Sequence, residues 1–213
     1  LPTVLCGQVG PWGDGYAPPD QMSTQEAEDY HSQQIEVYSG TEADLVSGFT
    51  LCYPEEASGV VRAAQRFDMP VAIAFTVETD GRLPTGVSVK EAIEQVDAES
   101  DGGALYFLIN CAHPDHFTSI FNDGPWLQRL RGVVANASRC SHAELDVAEE
   151  LDDGGCDVDA LCLLGDSRTG RRRTRGRNDQ GNHELAILQG GVAGEPTLAQ
   201  RLAVIGCEHD DGV

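Results

Sequence analysis

No run of about 18 consecutive apolar residues occurs in the chain, which removes any candidate for a membrane-spanning helix. The first residues, Leu1 to Gln8, lack the charged-then-apolar order of a secretion signal, so a cytoplasmic location is expected. Leu rather than Met stands first, and processing or a start inside a longer gene is expected from that. Basic residues are scarce: 14 Lys and Arg face 35 Asp and Glu, for a formal net charge of -21. That excess repels phosphate backbones and anionic lipid, and excludes nucleic acid and membrane surfaces as natural partners. Paired cysteine spacing is also lacking. The seven cysteines are odd in number and widely spread, so reduced thiols are expected rather than a disulfide framework. Cys6 and Cys52 lie inside hydrophobic runs, where a thiol acts as a small buried apolar group.

What is present is a repeat of buried strands and capped helices. Apolar, β-prone runs span Thr3 to Val9, Ala43 to Thr50, Pro70 to Val77, Ala104 to Asn110 and Gly132 to Ser138, the recurrence expected of strand-helix units. Two of them are apolar almost throughout, as parallel strands covered on both faces require. Between the runs, Ser23 with Glu26, Ser88 with Glu91, and Ser141 with Glu144 fit the capping box. Pro54 suits a first helical turn ahead of an amphipathic stretch reaching Phe67. The fold class is therefore α/β with a parallel sheet. In such folds ligands bind at the C-terminal ends of the strands, which directs attention to Gly7–Gly15, Thr50–Tyr53, Thr76–Asp80, Asn110–His116 and Asn136–Ser141.

The chain divides by charge. Residues 1–165 hold seven Lys and Arg against 28 Asp and Glu, whereas residues 166–213 hold seven of each kind. Five arginines crowd between Arg171 and Arg177 without apolar periodicity, the pattern of an atypical, disordered tail. A short final strand is expected within it near 202–207, where an apolar run leads into Gly206, Cys207, Glu208 and His209.

One strand end carries metal-binding chemistry. Ile109-Asn110-Cys111-Ala112-His113-Pro114-Asp115-His116 places a thiol and two imidazoles at the close of a buried run, and zinc takes Cys and His at tetrahedral positions. His113 and His116 equally suit capping of the next helix or a solvent-facing position. Cys207, on a last barrel strand, would lie near Cys111, with Glu208 or His209 available to complete a set. Glu78, with Asp80 beside it, and Asn136 sit where substrate contacts are expected, Asn136 because an amide can orient a polar ligand.

Taken together these segments resemble the homocysteine S-methyltransferase family. Gly7-Gln8-Val9-Gly10-Pro11-Trp12-Gly13 is similar to its Gly-Ser-Ile-Gly-Pro-Tyr-Gly segment. Ala43-Asp44-Leu45 opens the next strand as in the family. Asp80-Gly81-Arg82-Leu83-Pro84-Thr85-Gly86 resembles its Asp-Gly-Thr loop, and Leu108-Ile109-Asn110-Cys111 its Val-Asn-Cys zinc strand. The resemblance covers Leu1 to about Asp153. It implies a (β/α)8 TIM-type barrel and a Zn2+ cofactor. The implied reaction moves a methyl group from a small-molecule donor, such as S-methylmethionine, betaine or a methylated corrinoid or folate, to a thiol acceptor such as homocysteine. It also implies Cys111 as the first of three metal thiolates, with Cys207 the remaining candidate.

The sequence departs from the pattern in three places. It opens at what corresponds to the third barrel strand, so an incomplete barrel of about six strand-helix units is expected. The closing Gly-Gly-Cys-Cys-Gly-Thr has only Gly206-Cys207-Glu208-His209 in its place, and Gly154-Gly155-Cys156 comes too early to serve. Phe49 stands where many members carry a Glu for the homocysteine amine. A non-catalytic remnant of the family is thus a second reading, and a zinc hydrolase built on Cys111, His113 and His116 a third. Nothing in the sequence sets an oligomeric state.

Overall fold

The structure is a computed structural model that describes residues 4–18, 20–121 and 124–149, together with the backbone of a strand at 203–207. Strands β1 (Cys6–Val9), β2 (Leu45–Leu51), β3 (Val71–Thr76), β4 (Tyr106–Ala112), β5 (Leu130–Ala135) and β6 (Ala203–Cys207) form one sheet in the order β1-β2-β3-β4-β5-β6. Every neighbouring pair is parallel. Because each strand pairs with its predecessor in sequence, the sheet winds in one direction, as in a barrel; a doubly wound sheet would reverse its strand order partway. The α/β class and the parallel sheet of an incomplete TIM-type barrel are thus what the chain adopts.

The helices α1 (Thr24–Ser39), α2 (Pro54–Arg66), α3 (Val89–Glu99), α4 (Pro114–Phe117) and α5 (His142–Asp146) connect the strands. The local signals explain their starts. Ser23, Ser88 and Ser141 each accept a bond from the backbone of the glutamate three residues on, whose carboxylate returns to the cap residue's N–H. Pro54 occupies the first turn of α2, where its missing N–H costs no hydrogen bond. Helix α1 packs against α2, and α2 against α3, so consecutive helices line one side of the sheet. The core between them includes Ile35, Val60, Val61, Ile73, Phe75, Ile93, Phe107 and Ile109.

Three expectations need correction. Cys6 is exposed rather than buried, because β1 alternates between exposed and buried positions and Cys6 falls on the open face, its Sγ 3.0 Å from Ser47 Oγ. Strand β4 begins and ends two residues later than its apolar run. The turn before it holds Asp101 and Gly102 at positive φ, and pairing with β5 carries the strand through Ala112. Cys111 therefore lies inside the last turn of β4 pairing instead of just beyond it. Strand β5 runs from Leu130 to Ala135, not to Ser138. Among the described residues no helix is long and apolar enough to cross a membrane.

Candidate active site around Cys111

Two residues at the C-terminal ends of strands either side of β3 sit in the left-handed region: Thr50 at φ 59° on β2 and Cys111 at φ 53° on β4. That region is costly for a β-branched residue such as Thr and uncommon for Cys, and such strain concentrates at functional sites. Here the two strained residues face each other through Asn110, which is 1% exposed. Asn110 Oδ1 accepts from Thr50 N at 3.1 Å, and Asn110 Nδ2 donates to Thr50 Oγ1 at 2.8 Å and to Cys111 Sγ at 3.0 Å. Thr50 Oγ1 lies 3.6 Å from the same sulfur. A buried amide with its donors and acceptor engaged thus fixes both strand ends and points an N–H at the Cys111 sulfur.

The loop after β1 closes over this thiol. Its backbone is fastened from below: Trp12 N donates to Glu56 Oε1 at 2.6 Å, and His31 Nε2 lies 3.0 Å from the same oxygen. His31 and Glu56 are both buried. Gly15 then passes so close to Thr50 that a Cβ would come 2.9 Å from the Thr50 carbonyl oxygen, a position open only to glycine. Asp14 Oδ1 accepts from the backbone N–H groups of Tyr16 and Ala17, and these bonds hold the Asp14 carboxyl below its ordinary range. The result delivers the Tyr16 hydroxyl to Cys111. Burial first, and then that contact, push the Tyr16 phenol well above its usual range. The phenol stays protonated beside the sulfur.

A third arm comes from α5. His142 Nε2 lies 2.7 Å from the Cys111 carbonyl oxygen and His142 Nδ1 lies 3.1 Å from Glu78 Oε1. Its ring stacks on Tyr16 with centroids 3.8 Å apart. The site residues read from the sequence are therefore distributed unequally. Cys111 is at the centre, half-buried. Glu78 joins it through His142. Asn136, half-buried just past β5, is tied to β4 by its backbone N–H, which donates to Ala112 O at 3.1 Å. Cys207 ends β6, in register with Ala135. Ala135 in turn pairs with Ala112, beside Cys111, so the backbones at 111 and 207 share one level of the sheet with a single strand between them. Glu208 and His209 lie outside the described residues.

His113 and His116 are committed locally. His113 Nδ1 accepts from Asp115 N as the cap of α4, and His116 Nε2 meets Arg139 O at 2.9 Å. Among the described residues no three His, Cys, Asp or Glu side chains gather to hold a metal ion. Cys111 is a possible donor among them. It is of the soft type that zinc takes, and the described residues do not complete its set.

Tyr16 and His142 escaped the sequence reading. Thr50 was flagged as a strand-end position, yet nothing local indicated that it meets the Cys111 sulfur.

A singly wound parallel α/β sheet with a thiol at a strand's C-terminal end defines the class: a barrel-type fold of the kind that carries its site on the strand ends. The model of the homocysteine S-methyltransferase family matches residues 2–153, and the chain belongs to that family. Among solved structures it is similar to the metallated form of the homocysteine methyltransferase MmuM from Escherichia coli. The identity is 19%, over 63% of this chain and 49% of that one, with a TM-score of 0.52. The apo form of the same enzyme gives 17% identity, 63% and 50% coverage and a TM-score of 0.51. At these identities the likeness speaks for the fold, and the chain spans about half the length of these structures. No curated protein matches the chain significantly.

Proposed function

We propose that the chain is an S-methyltransferase domain that moves a methyl group from a small-molecule donor to a thiol acceptor such as homocysteine, with Cys111 and Cys207 as zinc ligands. The observation that carries the reading is the surroundings of Cys111. Its sulfur is met by an Asn110 N–H at 3.0 Å and lies beside the Tyr16 phenol, surroundings that suit a metal-ligating sulfur. Zinc held there would supply one thing, an acceptor sulfur kept ionised near neutral pH.

The chain's own residues would do the rest. Asn110 and Thr50 fix the ligand sulfur. The loop carrying Tyr16 would cover part of it. Asp14, Glu78 and Asp146 bring negative charge around Tyr16 and His142, which favours a cationic methyl donor, a sulfonium or quaternary ammonium, over an anionic folate. Asn136 and Glu78 are the substrate contacts of this reading.

The test is product formation by the full chain, supplied with zinc, homocysteine and each donor class in turn. Methionine should form above the level given by Cys111→Ser, and from the onium donors in preference to methylfolate. Equal product from the two proteins would refute the reading.

A further inference from the structure

His142 is held at both ring nitrogens, and the two partners impose different demands. A carbonyl oxygen can only accept, so Nε2 at 2.7 Å from the Cys111 carbonyl must carry a hydrogen and donate. Nδ1 faces a carboxylate oxygen of Glu78 at 3.1 Å, which holds the ring from its other side. The ring therefore cannot turn over without losing both bonds. Its flat face meanwhile supports Tyr16, with ring planes 27° apart. One imidazole thus restrains the backbone on one side of the Cys111 sulfur and the phenol on the other.

The restraint acts where the chain is strained. Cys111 has φ 53°, and a residue in this conformation persists only when its surroundings over-determine it. Its carbonyl lies where β4 and β5 change register between Asn110 and Ala112, so the sheet ladder is irregular beside it. The hydrogen bond from His142, coming 31 residues later in the chain, anchors the carbonyl at that irregularity.

We propose that His142 is a positioning residue for Cys111: through Nε2–H it holds the strained strand end, through its face it holds Tyr16 against the thiol, and Glu78 keeps its ring in orientation. This role deepens the methyltransferase reading, since it concerns the same thiol, but it is defined in the metal-free chain and can be tested there.

Two amides separate the imidazole's functions. The glutamine side chain is long enough to set its N–H near the place of Nε2, whereas asparagine reaches only the Nδ1 side. The rate at which iodoacetamide alkylates Cys111 in the full, metal-free chain at fixed pH reports how often the strand end opens, with melting temperature followed alongside. His142→Gln should react within about twofold of the parent. His142→Asn should react roughly tenfold faster, the effect of losing one buried hydrogen bond. Parent-like rates in both variants would overturn the role. Equal acceleration in both, matched by equal losses of melting temperature, would also overturn it, because His142 would then be filling space only. Neither outcome depends on metal or on methyl transfer, so failure of the functional reading leaves this test intact.

Discussion

Cys52 and Cys111 share a chain and a sheet but not a chemistry. Cys52, fully buried just past β2, has its thiol pushed up to about 12, by burial first and by the charge of Glu56 second. With that value only about one molecule in 10⁴ is thiolate at pH 8. Alkylation of the folded chain at pH 8, mapped by peptide mass, should therefore label exposed Cys6 and half-buried Cys111 and spare Cys52. Labelling of Cys52 as fast as Cys6 would contradict the burial account. Of the residues around Cys111, only those adjacent in sequence could be read from it. Asn110 and Cys111 end an apolar run and announce themselves together. Thr50 reaches the same sulfur from 61 residues away and His142 reaches its carbonyl from 31. Such meetings depend on the curvature of the sheet and the exact path of two loops, which leave no periodic trace. The expected burial of Cys6 went astray for a related reason: an apolar run does not reveal which face of an edge strand is covered.

At the scale of elements, local chemistry predicted starts better than ends. The three capping boxes and the first-turn Pro54 involve residues within one turn of one another, so the sequence contains the whole interaction. Strand limits depend on partners, and β4 shifted by two residues because β5 extends its pairing. The contact between α1 and α2 shows what tertiary packing adds. Gly59 on α2 lies so close to α1 that a Cβ there would meet Ala27 Cβ at 2.4 Å and Glu28 N at 2.6 Å. The second of these is backbone and cannot rotate away. Gly59→Ala gains helix propensity of about 1 kcal/mol, but forcing the helices apart costs about 1–3 kcal/mol and also disturbs Glu56, one turn earlier on α2. A net loss of stability is expected in urea unfolding, and a variant more stable than the parent would show that the two helices are less tightly apposed than described.

For the molecule as a whole, charge is distributed unevenly along the chain. The acidic excess lies in residues 1–165, and residues 166–213 are balanced. The family match ends at residue 153, yet β6 at 203–207 still pairs in parallel with β5, bringing Cys207 to the level of the Cys111 strand end. The central claim is that these two positions form a metal site with Cys111 as its main ligand. Two thiolates with no third Cys beside Cys207 are a poorer set than three. Zinc content of the full chain, measured after dialysis against a mild chelator, tests this directly. The account predicts less than one zinc per chain, most of it lost in Cys111→Ser; a Cys111→Ser protein that retained its zinc would contradict it.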